Sequence, residues 1–181
     1  MEKTTWSLDH THSEILFKVK HLMISHVTGR FNQFNGTVET QGTELAPAKV
    51  RFTAEINSIS TNNEQRDAHL KNSDFFDAEV YPQLIFDGGL EKTGDDLFEL
   101  KGTLTMHGNS KNVSLKVEFG GITQDPWGNT RAGFSVTGKI NRKDFGISFG
   151  AVSETGGVML GEEVTINASV QFVKEAIKQV A

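Results

Sequence analysis

Over most of its length the chain alternates apolar and polar residues with a period of two, the mark of strands buried on one face. Trp6-Ser7-Leu8 begins the pattern, and Asp9 to Ser13 is a polar turn. Ile15, Phe17, Val19 and His21 then share one face, with Lys18 and Lys20 on the other. Phe34, Gly36, Val38 and Thr40 line the next face, followed by Val50, Phe52, Ala54 and Ile56. After an interruption, Leu84, Phe86, Gly88 and Leu90 resume the alternation. Gly94-Asp95-Asp96 signals a hairpin turn, and Phe98, Leu100, Gly102, Leu104 and Met106 return along one face. Val113, Leu115, Val117 and Phe119 follow the loop at His107 to Ser110. A longer loop of turn-forming residues, Gln124 to Asn129, leads to Ala132, Phe134, Val136, Gly138 and Ile140. A glycine-rich excursion from Asp144 to Gly161 precedes the last strand, which presents Val164, Ile166, Ala168, Val170 and Phe172. Residues from Lys174 onward read as a short helix.

The interruption, Thr61 to Phe86, is the one stretch without the strand period. Thr61 and Glu64 have the spacing of a capping box, in which a hydroxyl and a carboxylate satisfy backbone donors at a helix start. Asn62 to Lys71 are mostly competent helix formers without Gly, Pro or β-branched residues. Ser73-Asp74 reads as a second start carrying Phe75 and Phe76, and Tyr81-Pro82 forces the chain extended again. The segment, helical over about 62–80, is largely polar, with Ala68, Leu70 and the two Phe among its few apolar residues. It has the composition either of a crossover helix covering a sheet or of a lid over a hollow.

About eight strands joined by short turns predict an all-β, antiparallel fold in one domain spanning 1–181, with its core at about 5–173. The choice is between a closed barrel and a two-sheet sandwich. Small residues at mid-strand inward positions (Gly36, Ala54, Gly102, Gly138 and Ala168) would leave the centre underfilled, which suits a barrel that holds a ligand. The same glycines also suit bulges and tight curvature.

Composition narrows the partners. Apolar residues make up 36% of the chain, with 18 Gly, 3 Pro and 13 Phe against one Tyr; Phe offers an apolar wall with no hydroxyl to satisfy. A net charge of −5 without a basic run argues against nucleic acid or an anionic membrane surface. The absence of cysteine removes disulfides and thiol chemistry. The N-terminus has no apolar signal-peptide core, and no stretch approaches a membrane span. The expected location is therefore cytoplasmic, or periplasmic or secreted if an upstream signal has been removed.

The segments WSLDHTHSEILFKVKH, GRFNQFNG, RDAHLKNSDFFDAEVYP, KGTLTMHGNSKNV, INRKDFG and GEEVTIN resemble the YceI-like family of polyisoprenoid-binding proteins. The run from Arg66 to Pro82 is long and specific, and the likeness extends from Trp6 to Phe172. It implies a lipocalin-like barrel with a helical segment over one side, an elongated apolar lumen, and a homodimer. It also implies binding of an isoprenoid, an isoprenoid quinone or a fatty-acid-like lipid without turnover, with no other cofactor. Many members carry a secretion signal, of whose apolar core the N-terminal residues here show no sign.

Ten-residue strands run about 33 Å, and each buried methylene of a ligand is worth about 0.8 kcal/mol. A long narrow lumen would therefore hold an extended hydrocarbon with little polar contact. The candidate wall is Phe17, Phe34, Phe52, Phe86, Leu104 and Phe134, together with Val19, Val38, Ala54 and Val136 and the small Gly102 and Gly138. Phe75 and Phe76 are placed at the mouth. His21 shares the inward phase and would meet a head group. Ordinary core packing is the competing reading for each wall residue taken singly, and Phe75 and Phe76 are the better ligand candidates. His10 and His12 are two apart and on a strand would share a face, but no third ligand has a recognisable spacing. Arg66 with Asp67, Asp74 and Asp77 reads as an ion cluster fixing the lid, and Arg142-x-Asp144 as a structural turn. The alternatives to a lipid carrier are a metal-assisted hydrolase or isomerase working in the same lumen, and a scaffold with a filled core.

Overall fold

The period-two segments form antiparallel strands of one continuous sheet. A computed structural model describes residues 2–150 and 159–176. The middle of the glycine-rich excursion and most of the expected C-terminal helix thus lie outside the described residues. The strands are β1 (Lys3–Leu8), β2 (Glu14–His21), β3 (Ser25–Phe31), β4 (Phe34–Gln41), β5 (Ala48–Glu55), β6 (Ile59–Ser60), β7 (Gln83–Gly94), β8 (Leu97–Met106), β9 (Asn109–Gln124), β10 (Thr130–Asn141) and β11 (Leu160–Lys174). Eight of them close a barrel in the order β1-β4-β5-β7-β8-β9-β10-β11, with β11 returning onto β1 from Trp6↔Lys174 to Leu8↔Phe172.

β11 has two partners on its closing side. Its last residues pair with β1, and Leu160 to Ser169 pair with β2. β2 carries β3, and β3 is joined to β6 only at Arg30↔Ser60 and Phe31↔Ile59. A three-stranded leaf therefore branches from the barrel wall. The polar turn Asp9–Ser13 makes the branch: a short 3-10 helix at His10–His12, capped by Asp9, swings the chain from one partner register to the other.

Two glycines explain how the strands approach. Gly88 and Gly102 face each other across β7 and β8. A Cβ on Gly102 would overlap the Asp87 carbonyl, and one on Gly88 the Lys101 carbonyl. They mark a close strand approach, not space left for a ligand.

The interruption contains one helix, α1 (Glu64–Lys71), shorter than the expected 62–80. Asn63, not Thr61, caps it, accepting from the Arg66 N–H at 2.9 Å. Thr61 is buried and used differently. Its N–H and hydroxyl donate to Asp67 at 2.8 and 2.5 Å. Arg66 donates to the Thr61 hydroxyl and carbonyl at 2.7 and 2.6 Å. The expected pairing of Arg66 with Asp74 or Asp77 is absent, because the guanidinium is spent on the backbone entry to the helix. Asp74 instead meets His69 at 2.8 Å. Phe75 and Phe76 sit on turns after α1, held by Phe75 N–H to the Asn72 carbonyl and Phe76 N–H to the Leu70 carbonyl.

At the end of the barrel near Val173, Arg131 ties three elements together. It donates to Asp125 in the β9–β10 loop at 2.8 Å, to Asp9 at 2.7 Å and to Gln171 at 2.9 Å. The Arg131 bond, opposed by burial and aided by backbone donors, holds the Asp125 carboxyl down at about 2. Burial pushes the Asp9 carboxyl up, but bonds from Thr11, Arg131 and His12 together outweigh it and keep it well below the usual carboxylate range.

Candidate functional site

The inward faces of the barrel do not meet. They enclose a cavity of about 240 Å³ whose walls are apolar except at Arg51 and Arg142. Arg51 points outward, pairing with Asp87 at 3.0 Å on the solvent side. Arg142 is the only charged group buried in the wall among the described residues, at 4% exposure. It sits in a 3-10 turn (Arg142–Phe145) closed by Gly146 at φ 75°, as its sequence suggests. Its guanidinium donates to the carbonyls of Gly161, Ile147, Phe149 and Leu160 at 2.7–3.1 Å. Burial lowers its pKa, and Glu162 partly offsets this. Arg142 thereby stitches the loop after β10 to the start of β11, and with them the lid end of the cavity.

Phe17, Val19, Val38, Phe52, Phe86, Leu104, Phe134 and Val136 all line this cavity, as do Phe75 and Phe76. Five other candidates lie outside the lining. His21 is exposed: an irregularity in β11 between Leu160 and Val164 carries the end of β2 past the barrel rim. Phe34 and Ala54 are register partners buried in a second apolar cluster with Phe31, Ile56, Ile59 and Ala78, which fills the space under the lid segment. Gly102 abuts β7, as described above. Gly138 is covered by the Leu115 side chain, and Leu115 lines the cavity in its place.

Leu90, Leu100, Val117 and Ile166, on the same strand faces but not among the candidate wall residues, line the cavity as well. Leu45, Leu70, Ile147 and Arg142 come from outside the strands and leave no periodic signal. Phe75 closes one side of the lid end. Its ring lies 4.9 Å from the His69 ring and 5.2 Å from Phe149, edge-on in both cases. Trp6 is buried in the wall with its indole N–H unpaired. His12 is held by Asp9 at 2.8 Å, and no three His, Asp or Glu side chains gather into a cation site among the described residues.

A family model for the YceI-like domain matches residues 6–172. The chain belongs to the YceI-like family. A UPF0312 protein of Staphylococcus aureus is 39% identical over 170 residues, covering 93% of this chain and 97% of its own length. Among solved structures, a Campylobacter jejuni YceI protein superposes with a TM-score of 0.76 at 33% identity, covering 87% of this chain and 90% of its own. A polyisoprenoid-binding domain from Saccharophagus degradans, implicated in plant cell wall breakdown, gives a TM-score of 0.75 at 18% identity, covering 94% and 98%. The YceI-like barrel with one helix is thus shared over nearly the whole chain.

Proposed function

We propose that this YceI-like protein binds a long-chain amphiphile, a polyisoprenoid, isoprenoid quinone or fatty-acid-like lipid, along the barrel axis and carries or stores it without chemical change. The observation that carries the reading is the apolar cavity of about 240 Å³. A void of this size left empty costs on the order of 6 kcal/mol, and even an apolar cavity of about 150 Å³ stays dry and takes up hydrocarbon. Filling it with methylenes recovers that cost without any polar contact. The polyisoprenoid-binding name of the structural neighbour from Saccharophagus degradans supports the same ligand class.

The test is organic extraction of the purified protein followed by mass spectrometry, together with uptake of a fluorescent polyprenyl or fatty probe. A stoichiometric long-chain lipid, displaced by the probe, is the expected result. Folded protein that yields no lipid and takes up no probe would rule the reading out.

A further inference from the structure

The exposed large apolar side chains are not scattered evenly. Leu22, Met23 and Ile24, at 45%, 56% and 84% exposure, form the tip of the β2–β3 hairpin, and Met159, at 41%, lies beside them through the Leu22 N–H bond to its carbonyl at 2.7 Å. The tip is built against local preference. Ile24 N–H closes a turn onto the His21 carbonyl at 3.2 Å, with Leu22 and Met23 at φ 52° and 61°. Positive φ at both central positions is the type I′ pattern, normally filled by Asn-Gly, and it is unfavourable for large side chains. Natural proteins break such local rules chiefly at functional or strained sites.

Charge at the tip departs from the rest of the molecule. From Ile15 to Val38 there is no Asp or Glu, although the chain carries a net charge of −5. Lys18 and Lys20 are exposed on this hairpin, and His21 and His26 flank the tip. The acids facing it from β11 are already engaged, Glu162 with Lys143 at 2.7 Å and Glu163 with Lys139 at 3.4 Å. The tip also continues the cavity wall. Val19 of the same strand and Leu160, which pairs with His21, both line the lumen.

We propose that the β2–β3 hairpin docks this end of the barrel onto an anionic lipid bilayer, with Met23 and Ile24 entering the interface and Lys18 and Lys20 meeting lipid phosphates, so that the lumen opens toward the membrane. This revises the expectation from net charge alone, because the charge is unevenly distributed. The proposal rests on the lipid-carrying reading above.

Sedimentation with vesicles of phosphatidylcholine containing phosphatidylglycerol, against pure phosphatidylcholine, tests it. Wild-type protein should bind the anionic vesicles and release in high salt. Met23→Ser/Ile24→Ser should lose at least about tenfold in partitioning, and Lys18→Glu/Lys20→Glu about fivefold or more per charge. Probe uptake from solution by both variants should remain as in wild type, which certifies the fold and separates this test from that of the lumen. Trp127, 82% exposed, reports on the opposite end of the barrel: its loop adjoins the Val173 end of β11, whereas the hairpin tip adjoins Leu160. Wild-type emission should stay put on vesicles, and Ile24→Trp in a Trp127→Phe background should shift to the blue. Undiminished vesicle binding by the Ser variant, or a blue shift of Trp127 itself, would overturn the proposal. So would a wild-type dimer that ignores vesicles and dissociates on the Met23→Ser/Ile24→Ser change, which would make the tip an interface between copies.

Discussion

At Gly36 an added Cβ would meet the Arg51 carbonyl, Leu8 and Phe52 at 3.5–3.6 Å, ordinary contact distances, and the position lines the cavity. Gly36→Val should therefore take up lumen volume, weaken probe binding several-fold and leave thermal stability nearly unchanged. Gly102→Ala, by contrast, forces β8 away from β7 and should cost about 1–3 kcal/mol or more. Melting curves and probe titrations on the two variants distinguish the roles. In the sequence the two glycines are alike, each a small residue at an inward mid-strand position, and nothing in the pattern says which one faces a void and which faces a neighbouring backbone. Leu115 over Gly138 makes the same point: occupancy depends on a side chain across the sheet. His21 differs in kind. Its phase is inward, but phase carries no information on how far a strand runs beyond the rim.

The strands were legible as elements because burial on one face imposes a period of two. Their number and short turns left barrel and sandwich open, and it was the small inward residues and the family resemblance that pointed to the barrel. The branch of β2 away from β1 was not legible, since it depends on a 3-10 turn that reads simply as polar. The lid segment was half legible. Its helix is present, but Asn63 caps it, and Thr61, Phe75 and Ala78 are buried, so the segment is pinned more firmly than its few apolar residues suggest. Only the turns carrying Phe75 and Phe76, together with Leu70, reach the cavity. Bound lipid should accordingly slow amide exchange at 73–77 and leave 64–69 unchanged, and Phe76→Asp should speed lipid release. Exchange that is equally slow throughout 62–80 with and without lipid would place the entrance elsewhere. At the opposite end, the Arg131 cluster predicts the acid limb of stability. Asp125 and Asp9 have folded pKa values below their unfolded ones, so their contribution is full above the ordinary carboxylate range and is lost as pH falls toward about 2. Arg131→Met should lower the melting temperature at neutral pH and show a shallower further decline between pH 4 and 2 (roughly the window set by these shifts), measured by thermal melts across that range.

For the whole molecule, ligand and fold are linked by mass action. A lipid that binds only the closed barrel adds about 2.7 kcal/mol at a hundredfold excess over Kd, so delipidated protein should melt lower and recover on addition of probe. The leaf has a separate effect. Because β3 bonds to β6 at two residues only, its stretch from Ser25 to Gly29 has no strand partner on that side among the described residues. The leaf, whose Phe17 and Phe31 line the lumen, thus ends there in a free edge, a seam through which a chain could pass. A sealed cylinder would act as a ruler, rejecting chains longer than itself. A seamed one measures nothing beyond its own length, since surplus chain leaves sideways. Affinity across isoprenoid alcohols of increasing length should therefore climb and then level off, and a sharp optimum would mean the seam stays shut.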